Sequence, residues 1–384
     1  MRVAVIADTH VDEGKRFEET KRLLAWIAND ARERGCTATL HCGDVYEKKS
    51  TPLERDAASD FVQAVTEYGP MVIVRGNHDA LDDLPLLAKL ETAWPVTVVE
   101  EFAIVELNGL TVAAVAWPRK AALLAATGAE GHEESEAIAA EALRNVLRGL
   151  GAELANETGP TALAMHAMIR DSVTSTGQPL VGCDFEIGTD DIGLVGADAN
   201  FVGHVHMKQH WMIGSAPCIY PGSPRRCNYG ETEPKGYVVA EWDDQTGDLV
   251  GWEFIEAPAT PMYHVDDEWT ADGWAIGPVR EDTPDSFAGA EVRLRYRVRS
   301  DQRVAARAAA EACRDGWLAD GAIAVKLDEQ VVLEQRTRAA AIPVQATLAE
   351  KLQAFWAAKS FEPGERRAAL LAKLQLIEEA SHAA

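Results

Sequence analysis

Five short apolar runs in this chain each lead into side chains able to ligate a metal. Residues 3–7 lead to Asp8-Thr9-His10, and residues 37–40 lead through His41-Cys42 to Gly43-Asp44. Residues 71–74 lead to Gly76-Asn77-His78-Asp79, residues 161–165 to His166, and residues 199–202 to Gly203-His204-Val205-His206. Singly, each has a plainer reading. An aspartate after a strand is commonly a turn or helix-capping residue. A lone histidine there is commonly structural, Asn77 would suit a left-handed turn, and Gly43, Gly76 and Gly203 would suit tight ones. Together they are harder to set aside, because five of the ten histidines (His10, His78, His166, His204, His206) sit at these ends. Ligands of α/β sheets bind beyond the carboxyl ends of strands, so the five endings are expected to converge on one metal-binding spot.

The elements that would position them are legible. Through residues 1–257, short β-branched runs alternate with helical stretches, the pattern of a layered α/β fold. A helix is predicted over 18–34, with Leu23, Leu24, Ile27 and Ala31 on one face and Gly35 as its stop. Further helices are predicted over 53–68 and 133–155. Runs 102–107 and 110–117 flank Asn108-Gly109, a strong hairpin signal. Residues 258–285, rich in proline and acids, read as a boundary. Beyond it, residues 290–299 alternate Val292, Leu294, Tyr296 and Val298 with Arg293, Arg295, Arg297 and Arg299, a half-buried strand with a cationic face. A helix over 302–315 and a strand over 322–327 complete a small α+β domain, 286–344. The tail, 345–384, reads as two helices parted near Pro363-Gly364.

The ordered set Asp8-x-His10, Gly43-Asp44, Gly76-Asn77-His78-Asp79, His166 and Gly203-His204-x-His206 resembles the signature of the calcineurin-like metallophosphoesterases. The resemblance implies an α/β sandwich with two metals at the strand ends. Asp8, His10, Asp44 and His206 would hold one, and Asp44, Asn77, His166 and His204 the other, with Asp44 bridging. Imidazole, carboxylate and amide donors suit Mn, Fe or Zn better than Ca or Mg, and a shared carboxylate offsets the repulsion of two close cations. His78, outside that ligand set, would contact the phosphate and protonate the leaving oxygen, with Asp79 tuning it. His41 reads as a supporting residue behind the site.

Within that superfamily, Tyr220-Pro-Gly-Ser-Pro-Arg-Arg226, Tyr229-Gly-Glu231 and Lys235-Gly236-Tyr237 look like the corresponding segment of SbcD-type DNA-repair nucleases. That resemblance implies a Mn-dependent exonuclease or endonuclease, with Arg225 and Arg226 placing the DNA phosphates. It also implies a DNA-contacting capping domain and a tail, with Leu348, Leu352 and Phe355 then Leu370, Leu374 and Ile377 at helical spacing, that grips an SbcC-like coiled-coil ATPase. Such proteins are often homodimers. The chain departs from some relatives in carrying Glu47 where they have a histidine, three residues after the bridging aspartate. The alternative is a free-standing phosphoesterase acting on nucleotides or phosphoproteins.

Composition constrains partners. The 384 residues carry 37 Lys and Arg against 61 Asp and Glu, a net charge of −24. Residues 286–345 are slightly basic, 10 against 8, and 346–384 are balanced at 5 against 5, so the acidic excess lies earlier. A polyanionic substrate would therefore need the metals, a local basic patch or a partner. Nothing reads as a membrane span or signal peptide. The six cysteines lack a CxxC pair, so a cytoplasmic protein with reduced thiols is expected.

Overall fold

The computed structural model describes residues 1–127, 135–175, 186–277, 284–332, 347–358 and 364–382. The chain runs β1 (Arg2–Ile6), α1 (Phe17–Glu33), β2 (Ala38–His41), α2 (Pro52–Val65), β3 (Met71–Val74), β4 (Val96–Val99), β5 (Phe102–Leu107) and β6 (Leu110–Val115). It continues through α3 (Lys120–Thr127), α4 (Ser135–Leu154), β7 (Thr161–His166), α5 (Thr189–Gly193), β8 (Ala199–Gly203), β9 (Gln209–Ile213), β10 (Ala216–Tyr220), β11 (Gly236–Trp242) and β12 (Leu249–Glu256).

Two six-stranded sheets result, ordered β12-β11-β1-β2-β3-β4 and β5-β6-β7-β8-β10-β9. β1 to β4 are mutually parallel, as are β6, β7, β8 and β10, so their carboxyl ends share one edge within each sheet. Period-two alternation decides which side chains meet. Val3, Val5 and Ala7 pack inward with Ala114, Ala164 and Phe201, between the sheets. Ala4 and Ile6 face outward onto Leu24 and Ile27 of α1 and Phe61 of α2. On the other side, Leu163 and Met165 pack on Leu143, Leu147 and Leu150 of α4. The outcome is a helix–sheet–sheet–helix sandwich, the α/β sandwich that the resemblance implies.

Local signals account for the element ends. Thr51 and Glu54 cap α2 reciprocally, with Pro52 in its first turn. The expected hairpin forms between β5 and β6, with Asn108 and Gly109 at φ 53° and 90°. The helix expected over 133–155 is α4, although 133 and 134 lie outside the described residues.

The remainder comprises β13 (Met262–Thr270), β14 (Gly273–Trp274), β15 (Glu291–Arg299), α6 (Arg303–Ala319), β16 (Ala324–Val332), α7 (Leu348–Ala358) and α8 (Glu365–His382). Four of these strands form a third sheet, ordered β14-β13-β15-β16. The stretch 258–285 therefore holds two strands as well as a boundary. β13 carries no clear strand signal in the sequence because Asp266, Asp267 and Glu268 interrupt its apolar residues. The chain divides into two compact units: Met1–Asp267 with Ile276–Arg295 and Ala309–Asp328, and Glu268–Ala275 with Tyr296–Ala308 and Glu329–Ala384.

β15 buries Val292, Leu294, Tyr296 and Val298, as its alternation requires. Its arginines are less available than a bare cationic face. Arg295 pairs with Asp328 (2.8 Å), Arg297 with Glu268 (3.7 Å) and Arg299 with Asp301 (3.3 Å), while Arg293 lies over the Tyr229 ring. In the tail, Leu348, Phe355, Leu370 and Ile377 are exposed.

Candidate metal centre

The loops after β1, β2 and β3 of the first sheet and β7 and β8 of the second bring the candidate ligands together. Asp8, His10 and His206 form one cluster, and Asp44, His166 and His204 another. Asp44 also touches both sides: its Oδ2 is 3.7 Å from His10 Nε2 and 3.4 Å from His166 Nε2. Asn77 Oδ1 lies 2.9 Å from His166 Nε2 and 3.0 Å from His204 Nδ1. Trp117 walls the second cluster, its ring 4.9 Å from that of His204.

The backbone here is unusual. Asp8, His10, Asp44 and His204 have φ of 54°, 43°, 56° and 112°, a region L-residues seldom occupy and that functional sites tolerate. Main-chain bonds hold the loops: Asp8 N–H donates to Gly43 O, His10 N–H to Asp44 O and Val11 N–H to Val45 O. The glycines permit close approach. A Cβ on Gly76 would stand 2.1 Å from Asp44 Oδ1, and one on Gly43 would stand 2.3 Å from His166 Nδ1.

Hydrogen bonding indicates which ring nitrogens face the centre. His166 Nδ1 lies 2.8 Å from the Cys42 carbonyl and must donate to it. Its Nε2 then faces two oxygens, those of Asn77 and Asp44. His10 Nδ1 stands 3.0 Å from Glu47 Oε2, and His206 Nδ1 3.4 Å from Glu231 Oε1. The Nε2 atoms of these two rings are left facing one another at 3.1 Å. Lone pairs aimed at one another require positive charge between them, so the residues fit a pair of cations. Titration agrees. Burial lowers the His166 imidazole, but the charge and hydrogen bond of Asp44 outweigh it and carry it up to about 9. Burial would raise Asp44, yet the surrounding imidazoles, His166 foremost, hold it well below the usual carboxylate range. A divalent ion would replace the proton that His166 retains.

His78 is half-buried at the pocket wall, its N–H donating to Asp44 Oδ1 (2.8 Å) and its Nδ1 2.8 Å from the Glu47 carbonyl. Asp79 has main-chain partners. Its carboxylate turns away and accepts the N–H groups of Asp44, Tyr46 and Gly76, each at 2.9 Å, so it braces the ligand loops. His41 is buried behind the site, bonded to Thr9 Oγ1 (3.1 Å), and burial with the nearby His166 pushes it down to about 3.

The two arginines separate. Arg225 lines the pocket, one Nη donating to the His10 carbonyl (2.8 Å). Arg226 clasps the main chain. Its guanidinium donates to the carbonyls of Glu231 (2.9 Å), Glu233 (3.1 Å) and Thr260 (3.4 Å), which commits its fork to the main chain. Residues without an assigned role also contribute. Lys235, fully buried, binds Glu231 (2.7 Å) and the His206 carbonyl (3.1 Å), so this pair supports both ring and backbone of His206. Lys15, Cys227 and Asn228 join the pocket lining. Among the described residues, Cys36, Cys42, Cys218 and Cys227 are free thiols; Cys183 lies outside them.

Residues 1–208, more than half of the chain, match the calcineurin-like phosphoesterase family, and the chain belongs to that family. It is therefore a metallophosphoesterase, of a family that typically binds paired divalent metals, and its His/Asp clusters suit them. No curated protein matches it. Among solved structures it is similar to a Thermus thermophilus protein, at 16% identity over 65% of this chain and 96% of that one, with a TM-score of 0.39. It is similar also to a dimetal phosphatase from Danio rerio, at 12% identity over 67% and 97%, TM-score 0.42. A third is the phosphopantetheinyl hydrolase of Mycobacterium tuberculosis, at 15% identity over 58% and 89%, TM-score 0.33. Among the described residues, no helix is long and apolar enough to cross a membrane.

Proposed function

We propose that this chain is a Mn-dependent DNA nuclease, the SbcD-like subunit of an SbcC–SbcD-type repair and recombination complex. The observation that carries the reading is the segment 220–237. The stretch resembling SbcD-type nucleases supplies Arg225 and Cys227 to the pocket and Glu231 and Lys235 to the support of His206. The segment is thus built into the site rather than leading away from it.

In this proposal Asp8, His10, Asp44 and His206 hold one ion, and Asp44, Asn77, His166 and His204 the other. Two such ions, when bound, supply charge neutralisation at the phosphate and activation of water near neutral pH. His78 acts as the general acid. Its Nδ1–H is committed to the Glu47 carbonyl, so the proton delivered to the leaving oxygen comes from Nε2. Arg225 positions a non-bridging phosphate oxygen. Its Nε–H lacks a partner among the described residues, and it shares the pocket wall with Lys15. The exposed apolar residues of α7 and α8 support a role for the tail in gripping a coiled-coil ATPase, whose cations would compensate for the acidic chain.

The acid partners of the β15 arginines favour a second reading, a free-standing phosphoesterase for nucleotides or phosphoproteins. Digestion of a labelled DNA hairpin and single strand with Mn, beside a small chromogenic diester, separates the two. The nuclease reading expects DNA cleavage that Asp44→Ala and His78→Ala abolish and that the ATPase stimulates. Diester or monoester turnover with no DNA cleavage under any condition would favour the second. A cytoplasmic homodimer is proposed with the nuclease reading, and light scattering of the purified chain tests the dimer.

A further inference from the structure

Glu47 stands between a candidate metal ligand and the candidate acid. Its side chain lies at the pocket wall, about one-quarter exposed, and its Oε2 stands 3.0 Å from His10 Nδ1, a buried nitrogen with no other partner among the described residues. Its carbonyl meets His78 Nδ1 at 2.8 Å. Its own N–H donates to the Val11 carbonyl (3.3 Å), so the residue is held between the β1 and β2 loops. One residue therefore faces the outer nitrogen of a candidate metal ligand with its side chain and that of the candidate acid with its main chain.

We propose that Glu47 is a positioning residue for the first metal: its carboxylate holds His10 as the Nδ1–H tautomer and turns the Nε2 lone pair toward the ion. The inference rests on the dinuclear reading and deepens it. A neutral imidazole has one N–H and one lone pair, so fixing the proton on Nδ1 decides that Nε2 ligates. An anionic acceptor also raises the donor strength of the ring, and losing such an outer partner typically costs roughly 10- to 100-fold in metal affinity. In the second cluster, His166 has a weaker arrangement. His166 donates to a neutral carbonyl, that of Cys42. The two ions are therefore unequal in their dependence on side-chain charge. Lys15 Nζ, 3.3 Å from Glu47 Oε1, is largely exposed and only partly offsets that charge.

The test is Mn binding to the full chain, followed by electron paramagnetic resonance of the free ion, for wild type, Glu47→Gln and Glu47→Ala. Thermal unfolding is recorded in parallel. The wild type takes up two ions. Glu47→Ala weakens one of them by roughly 10- to 100-fold and leaves the other unchanged. Glu47→Gln, which keeps an acceptor for His10 without the charge, falls between. Wild-type affinity in both variants, or equal weakening of both ions, overturns the proposal. A wild-type chain that takes up no pair of ions removes the dinuclear reading and this inference with it, an outcome distinct from two ions that ignore Glu47.

Discussion

Asp79 gives the sharpest test of how the ligand loops are held. Its buried carboxylate accepts three main-chain N–H groups, from Asp44, Tyr46 and Gly76, all at 2.9 Å. Asp79→Ala strands three buried donors, each bond to a charged acceptor being worth about 1.5–3 kcal/mol. The gross loss is about 4–9 kcal/mol. An opposing effect is visible: burial and the negative charge of Asp44 raise the Asp79 carboxyl to about 6, so removing it relieves a repulsion. That opposing effect is worth about 3 kcal/mol, so the net destabilisation is about 1.5–6 kcal/mol, against the 5–15 kcal/mol typical of folded domains. Asp79→Asn keeps the shape and one acceptor oxygen and loses less. Urea unfolding monitored by circular dichroism measures both. If Asp79→Ala shifted stability by less than about 1 kcal/mol, the brace would be fictitious and the carboxylate would need another role.

Three further outcomes follow from the same geometry. His78→Ala retains both metal ions, measured by binding, and loses turnover by about 100- to 10,000-fold, measured on the DNA hairpin; full activity would remove His78 from the mechanism. Arg225→Ala weakens substrate binding, whereas Arg226→Ala, which frees three carbonyls, lowers the melting temperature and leaves substrate binding unchanged; equal loss of binding in the two would contradict these roles. Burial pushes the Cys36 and Cys218 thiols up to about 12, so both stay protonated and resist maleimide at neutral pH in the folded protein. Peptide mass mapping should find them labelled only after unfolding.

Much of this was legible in the sequence because it is written in periodicity and in strand endings. The stripe of Leu23, Leu24 and Ile27 specifies α1, and Asn108-Gly109 specifies the hairpin. The ligand residues could be picked out because a parallel strand delivers whatever follows it to the same edge. What was not legible depends on partners distant in the chain. Glu47 reads as a surface acid until His10 is seen beside it, and Glu231 as part of a turn until Lys235 and His206 close around it. Asp79 adjoins His78, yet neighbouring side chains diverge, and its partners lie mostly on the β2 loop. Arg226 looks like a phosphate ligand by residue type, but three of its five N–H donors go to carbonyls further along the chain. The arginine alternation of β15 was correct as a strand signal and misleading as a charge signal, because Asp328, Glu268 and Asp301 are invisible to a count along one strand.

The most direct measurement is anomalous scattering from crystals of the chain soaked in manganese. Two peaks about 3.5–4 Å apart are predicted, one against Asp8, His10 and His206, the other against Asn77, His166 and His204, with Asp44 between them. A single peak elsewhere on the molecule, or none among these residues at saturating manganese, would contradict the account.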